Sequence, residues 1–257
     1  MFKFAGRALF AALLAGVTVP AMAADYVEPP IEVPAVGGWY IRGHIGMSNQ
    51  FFDGLESNLF NIPSEFGWYD QGGFASAPIF GGGVGYQFNG WLRGDLTVEW
   101  RGKSDFNALD WLVAEPDDPI TTNDYTAKKS ELLFLANAYA DLGTYYGITP
   151  YIGAGLGTSY NTISHFRDVN ITNGGGAYAD DNGEWNLAWA LHAGLGIKAT
   201  ERMTVDLGYS FVSLGDASTG ILRNDVPGFF PDGENESIKF NDIYSHDFKL
   251  GMRYSLY

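Results

Sequence analysis

Four histidines, His44, His165, His192 and His246, are the side chains in this sequence best suited to proton transfer near neutral pH. A hydrolase would need one of them within hydrogen-bond reach of a serine and a carboxylate. His165 follows Ser164 and His246 follows Ser245, yet neighbours in an extended chain point to opposite faces. Neither pair has a recognisable third member, and ordinary lumen or loop histidines account for all four. Gly81-Gly82-Gly83 and Gly153-Ala154-Gly155-Leu156-Gly157 look like phosphate loops, but no helical pattern follows either. Two acidic groups, Glu115, Asp117 and Asp118, and Asp180, Asp181 and Glu184, offer the oxygen ligands that divalent cations take, without calcium-loop spacing. Arg93-Gly94-Asp95 spells the tripeptide that integrin-type receptors recognise. What any of these can do depends on the elements that hold them.

From Trp39 onward, apolar side chains recur at every second position in eight segments of about ten residues, the mark of a strand with one apolar face. They are roughly Gly38–Asn49, Pro78–Phe88, Leu92–Arg101, Ser130–Leu142, Pro150–Tyr160, Trp185–Ala199, Met203–Leu214 and Asp242–Tyr257. The segment ELLFLANAYADL would also suit a buried helix; strand is preferred. Asn89-Gly90-Trp91, Gly143–Ile148 and Thr200-Glu201-Arg202 are short connections, and the alternate ones are long, at about 28, 28, 24 and 27 residues. A compact soluble domain seldom holds four such loops. Short turns on one side and long loops on the other, on an even number of antiparallel strands, suit a transmembrane barrel.

A soluble barrel would alternate as well, with its apolar face inward. Two observations favour the membrane. The second parity is rich in small residues, such as Gly153, Gly155, Gly157, Ala188, Ala190, Gly194 and Gly196, which suit a narrow lumen and not a solvated face. Large aromatics gather at two levels: Trp39, Phe88, Trp91, Tyr145, Tyr146 and Tyr254 on the turn side, and Phe51, Trp100, Tyr160, Trp185, Phe211 and Tyr244 on the loop side. The expected fold is all-β, an eight-stranded antiparallel transmembrane β-barrel over residues 38–257, with short periplasmic turns and four long extracellular loops.

The first 23 residues have the form of a signal peptide: Lys3 and Arg7, an apolar run from Ala8 to Val19, and Ala21-Met22-Ala23 before the cut. That run is too short to span a membrane as a helix. Residues 24–37, with Pro29, Pro30 and Pro34, form a periplasmic Pro-containing tail. There is no cysteine, so neither disulfides nor thiol chemistry enters. The chain's net charge is −15, which losing Lys3 and Arg7 makes more negative; that argues against nucleic acid.

With the apolar parity toward lipid, Arg42, Arg93, Arg101, Lys198, Lys249 and Arg253 face the lumen together with Asp95, Glu99, Glu131, Asp141, Asp206 and Asp247. Six charges of each sign imply an internal salt-bridge network in place of a charge-selective pore. Arg93 and Asp95 belong to it, out of reach of any external receptor. The negative excess lies in the long loops, where solubility is the ordinary explanation; cations bridging them to lipopolysaccharide phosphates are the sharper one.

GWYIRGHIG, TPYIGAGLG, MTVDLGYSF and DFKLGMRYSLY resemble the small outer-membrane barrels of the outer-membrane protein A and opacity-protein superfamily, particularly the surface-antigen barrels of alphaproteobacteria. The resemblance covers nearly the whole mature chain. Lys249, Gly251, Tyr254 and Leu256 fit the C-terminal signal that the outer-membrane assembly machinery reads in such proteins, with Tyr257 added after it. It implies eight strands, the cell outer membrane and, for most members, no catalysis. The reading is a non-enzymatic barrel without cofactor, supporting envelope integrity and presenting acidic loops to lipopolysaccharide, a host surface or phage. The rivals are a small-solute porin and a lipid-modifying hydrolase.

Overall fold

The computed structural model describes residues 37–172, 174–224 and 236–256. The expected signal peptide, the expected tail up to residue 36 and Tyr257 lie outside the described residues. Eight long strands form the wall: β1 (Gly38–Phe51), β2 (Ala77–Gln87), β3 (Leu92–Val113), β4 (Asn123–Asp141), β5 (Ile148–Asn170), β6 (Asn182–Lys198), β7 (Met203–Ser218) and β8 (Lys239–Ser255). Each pairs antiparallel with its successor. β8 returns to β1, from Tyr40↔Ser255 to Phe51↔Tyr244, and closes the ring. ELLFLANAYADL lies within β4 as strand.

The register fixes the barrel's geometry. One row of partners runs Tyr40, Gly85, Asp95, Asn137, Gly155, Ala190, Val212 and Ser245, and comes back to β1 at Gln50. The row gains ten residues per circuit, from 40 to 50. With eight strands about 4.7 Å apart and a rise of about 3.3 Å per residue, that shear tilts the strands by roughly 40°, as in outer-membrane barrels. Every residue of the row is buried, so it traces a spiral of inward-facing side chains. The opposite parity carries exposed Ile45, Leu96, Leu187, Leu207 and Phe248, an apolar belt that only lipid can cover.

Local chemistry sets the turns. The Asn89 Oδ1 accepts from the amides of Trp91 (3.0 Å) and Leu92 (2.9 Å), the Asx device that makes Asn a turn former. Thr200 Oγ1 accepts from the Met203 amide at 3.0 Å. Gly143 and Gly147 take φ of 93° and 81°, open only to residues tolerating the left-handed region.

The strands depart from expectation on the loop side. Most of the residues expected to loop between Arg101 and Ser130 are strand: β3 runs 22 residues to Val113, β4 begins at Asn123, and β5 runs 23 residues to Asn170. Glu65–Phe74 pairs with the extended β3 and Gly176–Ala179 with the extended β5, while Leu222–Asn224 pairs with Gly176–Ala179 and Gly54–Glu56 with the start of β8. The physical reason is a pair of bulges. The register shifts between Arg101 and Ser104, and around Ser164 and Arg167, where His165 has φ 56°. One extra residue exchanges the faces. Below the first bulge Arg93, Asp95, Thr97, Glu99 and Arg101 are buried; above it Ser104, Phe106, Ala108 and Asp110 are. The wall therefore continues past the membrane as a crown with an apolar interior and a polar exterior.

Candidate functional site

The lumen is filled in tiers, each built from inward positions on several strands. Nearest the turns, Arg42 Nη1 meets Asp95 Oδ2 at 2.8 Å and donates to Tyr139 OH at 2.9 Å, while Tyr40 OH donates to the same carboxylate at 3.0 Å. Arg93 Nε pairs with Asp141 at 3.1 Å, and its guanidinium lies 4.0 Å from the Tyr139 ring centroid and 4.7 Å from that of Tyr151. Arg253 grips Asp206 with Nε and Nη2 at 2.7 and 2.9 Å, the two-pronged geometry that planar guanidinium favours.

In the middle, Glu99 Oε1 meets Lys249 Nζ at 2.6 Å and His44 Nε2 at 3.0 Å. Arg101 then joins three carboxylates: Glu99 at 3.1 Å, Asp247 at 2.6 Å and Glu131 at 3.8 Å. Ser48 and Ser245 accept from its Nη1 at 3.1 and 2.9 Å. Lys129 bonds Glu131 and, at 2.9 Å, Gln50. Burial of so many charges is tolerable because each finds an opposite charge and further hydrogen bonds. A void of about 20 Å³, lined by groups including Arg42, His44, Glu99, Tyr139, His192 and Lys249, has room for about one water and no solute.

Above these tiers Phe52, Phe74, Phe106 and Phe240 meet with centroids 5.0–5.9 Å apart and form a dry plug. Higher still, Asp110 is wholly buried and accepts from the Asn123 amide (2.7 Å), Asn123 Nδ2 (3.1 Å) and Tyr125 OH (2.6 Å). Asp168 lies eight residues beyond girdle Tyr160 on β5, about 20 Å farther along the barrel axis. Burial first, then the carboxylates of Asp110 and Asp124, push its carboxyl up to about 7.

The family model for the outer membrane protein beta-barrel domain matches residues 9–255. The chain belongs to this outer-membrane β-barrel family. An uncharacterized protein of Brucella suis is 30% identical, the match covering 91% of this chain and 92% of that one. Outer membrane protein PagN of Salmonella typhimurium is 28% identical over 85% of this chain and 90% of its own. Solved structures it resembles include Neisserial surface protein A (15% identity, TM-score 0.44, covering 85% of this chain and 97% of that one) and OprG of Pseudomonas aeruginosa (15%, 0.47, 85% and 96%). The family's place is the cell outer membrane, and the apolar belt is the surface that meets it.

Within this family barrel, eleven of the twelve charged residues assigned to the lumen join ion pairs there: Arg42, Arg93, Asp95, Glu99, Arg101, Glu131, Asp141, Asp206, Asp247, Lys249 and Arg253. Lys198 needs correction. It is the last residue of β6, exposed at the short-turn end, where the wall stops and water replaces a partner. In the C-terminal pattern Lys249 and Gly251 face inward, while Tyr254 and Leu256 are exposed on the outside.

The acidic residues weighed as cation ligands do not gather into a ligand set: among the described residues no cluster of three or more metal-ligating side chains exists. Asp118 accepts from the Glu115 amide in a turn with Asp117 at φ 76°. Asp180 pairs with Arg223 at 2.5 Å, Asp181 accepts from the His165 amide at 3.0 Å, and Glu184 lies on β6. The carboxylates of Asp118, Asp180 and Asp181 are thus taken up by local structure.

Sequence reasoning missed Lys129, Gln50, Asn137 and the tyrosines that seal the lower tier. The run Tyr125, Ala127, Lys129, Glu131 keeps one parity into β4, a signal hidden by ending the strand at Ser130. His192 bonds Ser210 at 2.8 Å and Asn137 at 3.0 Å, a serine–histidine–amide chain invisible in sequence because its members sit on three strands.

Proposed function

We propose that this protein is a non-enzymatic envelope barrel whose working surface is its extracellular crown. One observation carries the reading: among the described residues the lumen is filled by paired charges and then by a phenylalanine plug, an arrangement that argues against passage of a solute. The exposed carboxylates, among them Glu56, Glu65, Asp70, Asp105, Asp117 and Asp124, give the crown a negative exterior for lipopolysaccharide, a host surface or phage. The Ser210–His192–Asn137 chain has the connectivity of a nucleophile, base and orienting group. It is enclosed beside a void the size of one water, and a substrate has no access.

Two measurements test the proposal. Reconstituted in a planar bilayer, the protein gives no stable conductance above background, and a deletion strain shows increased sensitivity to detergents and chelators. A steady single-channel current would replace this reading with a small-solute pore. Lipid A spectra that differ between deletion and wild-type strains would replace it with a lipid-modifying hydrolase.

A further inference from the structure

The lipid-facing surface holds one polar constellation that the lumen and crown do not explain. Among the described residues, outward positions between the two aromatic girdles carry no Asp, Glu, Lys or Arg, and His246 is their imidazole. Polar side chains facing hydrocarbon are costly and tend to serve a purpose. His246 Nδ1 lies 2.7 Å from Tyr209 OH. Its backbone carbonyl accepts from Asn49 Nδ2 at 3.1 Å, and Ser76 Oγ in turn donates to Asn49 Oδ1 at 2.7 Å. Phe51, Phe211 and Tyr244 frame the ring edgewise at centroid distances of 5.7, 5.3 and 6.1 Å. Among the described residues no protein group bonds Nε2.

Tyr209 also lines an open groove of about 870 Å³ on the same face, with Met47, Phe80, Ala193, Leu207 and Phe248 among its walls. It crosses β2, β1, β8, β7 and β6, and the small outward residue Ala193 deepens it. An apolar furrow with a few convergent polar groups at one end is the usual form of a site for an amphipathic molecule. Its polar end lies beside Phe51, Phe211 and Tyr244 of the loop-side girdle, so the leaflet that reaches it is the outer one.

We infer that this groove holds an acyl chain of outer-leaflet lipopolysaccharide, whose amide or ester carbonyl meets His246. With the Tyr209 hydroxyl donating to Nδ1, the imidazole proton sits on Nε2 and donates to the carbonyl oxygen. The aromatic frame holds the ring in that orientation, and the chain below the carbonyl lies along the groove. The inference deepens the proposed envelope role by naming a lipid site outside the lumen and crown. It rests on that role only in placing lipopolysaccharide against the barrel.

The test uses the full mature barrel reconstituted in phosphatidylethanolamine bilayers with and without lipopolysaccharide, then extracted in mild detergent. Lipid retained per barrel is read by mass spectrometry. Wild-type protein keeps lipopolysaccharide in preference to phospholipid. His246→Phe, which fits the aromatic frame, and Tyr209→Phe each lower that preference about 3- to 10-fold, the value of one hydrogen bond. Ala193→Phe, which fills the groove, lowers it while sparing the polar pair. Heat-modifiable migration on gels confirms that each variant is folded. Equal retention of the two lipids by wild type, or unchanged preference in folded His246→Phe, overturns the inference. A conductance measurement bears on the envelope role alone, so the two fail separately.

Discussion

Replacing Arg101 by Met tests whether the lumen is held by its charges. Met keeps much of the aliphatic stem, so the change removes mainly the guanidinium. That group contacts Glu99, Asp247 and Glu131 and also bonds Ser48 and Ser245. Its loss leaves three carboxylates with Lys249 and Lys129 as their remaining cationic partners. Stranding one buried charge costs about 3–5 kcal/mol, so Arg101→Met should destabilise the barrel by that amount. Asp247→Asn on that background should restore about 1.5–3 kcal/mol, the range of a charged hydrogen bond. The assay is reversible urea unfolding of the barrel inserted in lipid vesicles, followed by tryptophan fluorescence, with both single variants and the double. A loss below about 1 kcal/mol would refute the reasoning, because it would mean that water already screens these charges and that the lumen is wet.

Phe106 is fully buried in the plug, and Phe106→Ala should cost about 3–5 kcal/mol; faster hydrogen exchange at crown amides, with the lower strands unchanged, checks this. Asp168, raised to about 7, binds a proton in the folded crown that the unfolded chain gives up in the ordinary carboxylate range. Its contribution to stability is therefore full below about pH 4 and lost as pH climbs to about 7, with a ceiling near 4 kcal/mol. Asp168→Asn should flatten that slope, as read from crown protection at pH 4.5 and 8 after correction for intrinsic rates; an unchanged slope counts against the assignment. Lys198→Gln should change stability by less than about 0.5 kcal/mol, since this exposed residue has no ion pair among the described residues.

The barrel was legible in the sequence because its lower wall obeys one simple rule, alternation with apolar residues outward. WNLAWALHAGLGI and DFKLGMRYSLY, in β6 and β8, follow that rule to the last turn, and the charges of the second parity fall inside by necessity. The crown was illegible for the converse reason. Lys103, Asp105 and Asn107 alternate with Phe106 and Ala108 as regularly as the segment below, but with the sense reversed. A bulge costs one residue and leaves no composition signal, so the reversed run reads as loop. Pairing choices were hidden too: which carboxylate Arg101 takes depends on the ten-residue shear, since Asp247 stands 146 positions away.

The shear also explains why the charges balance where they do. Tilting the strands by roughly 40° places residues of equal height at different register positions, so Arg42 on β1 meets Asp95 on β3, and Lys249 on β8 meets Glu99 on β3. Some pairs close between neighbouring strands, as Arg93–Asp141 and Arg253–Asp206 do; others reach over β2, which supplies Gly81, Gly83 and Gly85 to that face. A Cβ at Gly81 would stand 2.4 Å from the His44 ring, and one at Gly83 would stand 2.2 Å from the Leu96 carbonyl oxygen. The glycines of β2 are thus the counterpart of the long charged side chains: they let Arg42, His44, Glu99 and Lys249 converge across a strand that contributes no bulk. Such a lumen is committed to internal pairing, its charges answered within the barrel across the strand that supplies no side-chain bulk.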